Sequence, residues 1–190
     1  MSALRNFPTM SVDEYMALET RSDFRHEYDC GSMYAMSGAS DDHMIIVNNI
    51  SYSLTGQLDD TTCQPFTENM RVALPGQNYY YPDVVVTCGE RDYELQREGK
   101  NLLNPIVLVE VLSTHTENYD KSRKLEVYQQ IPSLMDYLLV RQDRVHITHC
   151  TRQNTDWASV EYEQLTDKIV LASINSTLPL ARVYKKVTWA

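Results

Sequence analysis

The chain has 190 residues, 43% hydrophobic and 23% charged, which suits one globular domain over 1–190 and leaves little room for a second core. A net charge of −9 opposes general attraction to phosphate backbones and argues against a nucleic-acid coating protein, although a bound divalent cation reverses the local sign at an acidic site. No window holds the roughly 20 consecutive apolar residues of a membrane span, and "MSALRNFPTM" lacks the apolar core of a signal peptide. A cytoplasmic protein is therefore expected. Cys30, Cys63, Cys88 and Cys150 are expected as reduced thiols, because they are scattered and form no C-x-x-C pair.

In "SVDEYMALE", Ser11 precedes Glu14 by three residues, a capping-box spacing that predicts a short first helix. "FRHEYDCGSMYAMSG" predicts two short strands joined at Gly31, with Tyr34 and Met36 on one face of the second. "DDHMIIVNNISYSLTGQL" starts polar at Asp41 and puts Ile46, Ile50, Ser53 and Leu54 on one side, which predicts a helix to about Leu58. "CQPFTENMRVAL" and "YYPDVVVTC" read as two strands separated by the turn "PGQN". "GERDYELQREGKNLL" is charged and turn-prone and predicts a surface loop, after which "NPIVLVEVLS" is continuously apolar like a central strand covered on both faces.

After Ser113 the period changes. "TENYDKSRKLEVYQQI" sets Tyr119, Leu125, Tyr128 and Ile131 at roughly helical offsets, and Pro132 ends the segment. "LMDYLLVR", "RVHITHC" and "WASVEYEQL" predict successive strands, the first two joined tightly around Gln142 and Asp143, and "LPLARVYKKV" predicts a short closing helix. The order is that of an α/β protein with a mixed sheet flanked by helices.

Two acids interrupt the most apolar strands: Asp83 in "PDVVV" and Glu110 in "IVLVEVLS". Burial of an unpaired carboxylate costs several kcal/mol or more, so each must be paired, hydrogen-bonded or bound to a cation. If their strands are neighbours, the two carboxylates converge as hard oxygen ligands suited to magnesium or manganese; the alternative is that each pairs with an arginine or lysine. Lys124 follows in the next predicted helix, with Tyr128 four residues later on the same face. Two metal-ligating acids and a cation are the parts that hydrolysis of a phosphodiester needs. His146 and His149, three apart in a predicted strand, point to opposite faces and cannot share an ion.

The ordered set "PDVVV", "VEVLS", "YDKSRKLEVY" and "LMDYLLV", with "HEYDCGSMYAMSGASDDHMIIVNNI" upstream, resembles the Uma-type family of bacterial restriction-endonuclease-like proteins, within the PD-(D/E)XK nuclease superfamily. The resemblance runs from about Phe24 to Val140 and extends to the C-terminal "LPLARVY". It implies a restriction-endonuclease-like mixed sheet and a magnesium- or manganese-dependent endonuclease that cleaves DNA. Asp83 and Glu110 match its metal ligands and catalytic acids, and Glu27 matches a further ligand or an orienting group. The general motif places a lysine two residues after the second acid, where this chain has Leu112; Lys124 matches the helix-borne lysine of the Uma-type pattern, with Lys121 a less suited substitute. His43 matches a recurrent histidine, with capping or packing as its alternative use.

Two positions depart from the pattern: Ser32 stands where an acid often follows the glycine, and His115 where a small residue is usual. They leave open a catalytically inactive interaction module of the same fold, or a hydrolase of another phosphoester. The 13 tyrosines serve base stacking or packing, and together with exposed apolar residues they suit a homodimer, an assembly fitted to cutting two strands.

Overall fold

The computed structural model describes residues 9–36, 38–67, 69–96, 99–112 and 123–189. Helix α1 (Val12–Glu19) begins at the expected capping box: the Ser11 hydroxyl accepts from the Glu14 amide, and the Glu14 carboxylate accepts from the Ser11 amide at 2.7 Å. Strands β1 (His26–Asp29) and β2 (Ser32–Ala35) form a hairpin whose two turn residues, Cys30 and Gly31, both have positive φ, as a type I′ turn requires. Helix α2 (Asp41–Leu58) is capped by Ser40 and buries Ile46, Val47, Ile50, Leu54 and Leu58 along one stripe.

The two long apolar runs do not form two strands, as expected, but four, shared between two sheets. "CQPFTENMRVAL" divides into β3 (Cys63–Thr67) and β4 (Val72–Leu74), and "YYPDVVVTC" into β5 (Asn78–Tyr80) and β6 (Val84–Cys88). Pro82 cannot donate to a ladder, so Tyr81, Pro82 and Asp83 carry the chain from one sheet to the other. The expected surface loop contains a hairpin of β7 (Tyr93–Gln96) and β8 (Gly99–Leu102); buried Leu102 meets Val72 of β4, so a charged segment still supplies sheet.

Next come β9 (Val107–Leu112), helix α3 (Leu125–Tyr128), β10 (Asp136–Arg141), β11 (Ile147–Gln153) and β12 (Asp156–Tyr162). The first half of the helix expected after Ser113, with Tyr119 and Lys121, and His115 just before it lie outside the described residues. A hairpin of β13 (Lys168–Leu171) and β14 (Ser176–Pro179), absent from the sequence reading, precedes the one-turn helix α4 (Leu180–Val183).

The first sheet has the order β2-β1-β5-β4-β8-β7 and the second β12-β11-β10-β9-β6-β3. Both are mixed, β4 running parallel to β8 and β9 parallel to β10. Alternation along the second sheet explains the layering. Val84, Val86, Val107, Val109 and Val111 face Ile46, Ile50 and Leu54 of α2, whereas Val85, Leu108 and Leu112 face Val127 and Tyr128 of α3 and Tyr80 and Leu102 of the first sheet. This is an α/β arrangement with mixed sheets flanked by helices, as the sequence predicts, with a second sheet that it did not.

The reduced-thiol expectation fails for two of the four cysteines. The β3–β6 register sets Cys63 opposite Cys88, and the two form a disulfide. Sheet pairing joins cysteines 25 residues apart, which motif spacing cannot show. Cys30 and Cys150 are free thiols. Among the described residues no helix is long and apolar enough to cross a membrane.

Candidate active site

Strands β6 and β9 pair antiparallel with Val84 opposite Val109, so one further step sets Asp83 opposite Glu110. Asp83 has already left the ladder, and its side chain replaces the backbone partner that β9 would otherwise lack: Val111 N–H donates to Asp83 Oδ2 at 2.6 Å. The other oxygen, Oδ1, lies 3.0 Å from His43 Nε2. His43 sits in the first turn of α2, where its amide donates to Ser40 Oγ at 3.2 Å. It therefore belongs both to the helix cap and to the site. The sequence reading offered an arginine or lysine as the alternative partner of each acid; the basic side chain beside Asp83 is a histidine, His43.

Lys124 instead bridges the two glutamates. Its Nζ donates to Glu27 Oε1 at 2.9 Å and to Glu110 Oε1 at 3.0 Å, and the three side chains are almost fully buried. Such a group is tolerated because the shared ammonium and further hydrogen-bond donors, the Tyr81 amide and the Tyr128 hydroxyl, stabilise the two carboxylates. Tyr128, one turn along α3, donates its hydroxyl to the same Glu110 oxygen at 2.8 Å. Burial, reinforced by the negative charge of Glu110 and Glu27, pushes the Tyr128 phenol well above its ordinary value, so it remains a donor at any working pH.

Glu27 reaches this point from β1, in the other sheet. Its Oε1 also accepts from the Tyr81 amide at 3.2 Å, which ties the crossing segment to β1. Tyr81 had no part in the sequence reading, because a backbone donor leaves no trace in residue type. Two residues beyond Glu27, Asp29 takes a bidentate grip from Arg123, with Nε at 3.1 Å and Nη2 at 3.0 Å. This pair was also missed; the signal available was the basic residue directly before Lys124. Ser32, where the family pattern often has an acid, lies opposite Asp29 in the hairpin. The acid of this turn is thus on the facing strand.

The structure brings together Asp83, Glu110, Lys124, Glu27, Tyr128 and His43. His115 lies outside the described residues. His146 and His149 stand elsewhere and apart, as expected: His146 Nε2 is 2.9 Å from Glu161 and His149 Nε2 is 2.7 Å from Asp136.

Among the described residues, no group of three or more His, Cys, Asp or Glu side chains is arranged to hold a metal ion. Magnesium, however, is commonly held by one or two carboxylates together with water and substrate oxygens. Asp83 and Glu110, buried at facing positions of adjacent strands, fit that requirement in ligand type and number. Glu27 is engaged by Lys124 and the Tyr81 amide, an orienting arrangement.

Two relatives from Synechocystis sp. are similar over most of their length. The uncharacterised protein slr1290 is 35% identical over 181 residues, covering 94% of this chain and 93% of its own. The uncharacterised protein sll1609 is 30% identical over 141 residues, covering 74% and 79%. A crystal structure of a "putative nuclease belonging to DUF820" from Anabaena variabilis superposes with a TM-score of 0.78 over 94% of this chain and 99% of that one; at 14% identity it establishes the shared fold. The model of the Uma2 family, described as "Putative restriction endonuclease", matches residues 12–181, and with the fold and the acid–lysine cluster in place the chain belongs to that family.

Proposed function

We propose that the protein is a magnesium- or manganese-dependent endonuclease that hydrolyses DNA phosphodiester bonds at the cluster of Asp83, Glu110 and Lys124. The observation that carries the reading is the facing pair of buried acids with a lysine ammonium 3.0 Å from one of them. Asp83 and Glu110 would hold the divalent ion, which supplies Lewis acidity and charge neutralisation when bound.

The chain's own groups have distinct tasks. Hydrolysis joins a water oxygen to phosphorus and breaks one ester bond, and negative charge grows on the phosphoryl oxygens in between. Lys124 Nζ is the cation available to that charge, in a water-poor site where its effect is least screened. Glu27 and the Tyr81 amide fix the ammonium, and Tyr128 holds Glu110 in one rotamer. His43 and the Val111 amide do the same for Asp83. The described residues carry one such centre, which cuts one strand, so the same reading makes the active species on duplex DNA a homodimer.

Nicking of supercoiled plasmid tests the proposal. Wild type should nick with magnesium and not with chelator, whereas Asp83→Ala, Glu110→Gln and Lys124→Ala should each lose at least about 100-fold, the usual consequence of removing one electrostatic element. Equal activity in wild type and variants, or none in any, overturns the reading; the second result, with no calorimetric magnesium binding, assigns a non-catalytic module of the nuclease fold.

A further inference from the structure

Asp83 Oδ1 is oriented by His43, and His43 stands in the first turn of α2, where helices fray unless something holds them. The holder is Ser40. Its Oγ accepts from the His43 amide at 3.2 Å and donates to Gln142 Oε1 at 2.5 Å, so its one hydrogen and a lone pair are both engaged and its direction is fixed. Gln142 lies in the connection between β10 and β11, and its main-chain carbonyl accepts from Trp189 Nε1 at 2.9 Å. One line of hydrogen-bonded residues thus runs from Trp189 through Gln142, Ser40 and His43 to Asp83.

The segment after α4 is tied to the same place at several points. Asn49 of α2 donates to the carbonyls of Val183 and Lys185 at 2.9 and 2.8 Å, and the Thr188 amide donates to Oδ1 of Asp42, the residue before His43, at 3.3 Å. Tyr184 donates its hydroxyl to His146 O at 2.8 Å, and its ring lies 5.6 Å from that of Trp189. Trp189 itself is 40% exposed, so core packing does not account for it, and its N–H is turned to the Gln142 carbonyl rather than to water. Asp83 is anchored by one bond to each oxygen, Val111 N–H on Oδ2 and His43 on Oδ1. With Oδ1 released the carboxylate can turn about the remaining bond, whereas magnesium demands near-ideal octahedral geometry.

We infer that Gln142 and Trp189 are positioning residues of the proposed centre: they hold the first turn of α2 so that His43 fixes the Asp83 carboxylate in the orientation that receives a divalent ion. The positioning rests on the nuclease reading for what Asp83 receives, whereas the placement of His43 is measurable without metal. Neither Gln142 nor Trp189 is buried, so their replacement leaves the fold intact, which thermal melting verifies.

Histidine ring resonances in magnesium-free buffer, together with calorimetric magnesium titration, test it. Trp189→Phe keeps an aromatic ring against Tyr184 and removes the N–H, and Gln142→Leu removes the acceptor of the Ser40 hydroxyl. Both variants should shift or broaden the His43 signals and leave unchanged those of His149, which lies against Asp136. Loss of a direct partner of a metal ligand costs about 10- to 100-fold in metal affinity; acting through His43, these changes should lower magnesium affinity by about threefold. In a His43→Ala background they should have no further effect, the non-additivity of groups that act in series. Variants whose His43 signals or magnesium affinity match wild type, or whose effects add to His43→Ala, overturn the positioning and leave the nuclease reading standing. A wild type that neither binds magnesium nor nicks plasmid overturns the nuclease reading, and the positioning with it.

Discussion

At the scale of single residues, Lys124 is where stability and proposed chemistry meet. Its ammonium keeps two buried carboxylates together, and Lys124→Met would leave Glu27 and Glu110 sharing a pocket without the cation that bridges them. The variant should lose about 3–5 kcal/mol in urea denaturation. Adding Glu27→Gln should return a substantial part of that loss, a non-additivity that identifies the pair, while nicking stays absent because the cation is gone. Asp83, Glu110 and Lys124 are legible in the sequence for a simple reason: a charge within an apolar run, or a lysine at helical spacing from a buried tyrosine, breaks a pattern. Their partners are not. The Val111 and Tyr81 amides have no residue-type signature, and the meeting of His43 with Asp83 depends on how α2 lies on the second sheet.

At the scale of elements, the Arg123–Asp29 pair joins the entry of α3 to β1. Burial alone would raise the Asp29 carboxyl, but the hydrogen bonds and charge of Arg123 outweigh it and hold the group below its ordinary 3.8. A carboxyl depressed by folding contributes stability that is complete above its unfolded value and is lost as the pH falls through the folded one. Arg123 is 37% exposed, so the contribution is screened to about 1 kcal/mol. Wild type should exceed Asp29→Asn by that amount at neutral pH, and the two urea midpoints should converge on acidification below the ordinary carboxylate range. Element boundaries were harder to read than elements. The α1 capping box and the α2 stripe are local signals and hold as expected. The division of "YYPDVVVTC" between two sheets is set by which neighbour each half pairs with, although Pro82 marks the place.

For the whole molecule, the Cys63–Cys88 bond closes a loop that leaves the second sheet, builds β4 and β5 of the first, and returns. By loop length such a crosslink contributes about 3.5 kcal/mol, chiefly by restricting the unfolded chain. The double variant Cys63→Ser, Cys88→Ser should lose about that much, and reductant should lower the midpoint of wild type but not of the variant. The class of fold was readable because the periods of the sequence are clear; the second sheet and the disulfide were not, since both depend on pairings between distant strands.

The division of the acids between two sheets has a consequence for the newly made chain. Glu27 comes from the first sheet, Glu110 from an inner strand of the second and Asp83 from the residue entering its neighbour, while Lys124 arrives 97 positions after its partner Glu27. Contacts of such separation form late in folding. The emerging polypeptide thus carries every group of the proposed centre without possessing the centre, and the hydrolysis proposed for it waits until assembly is complete.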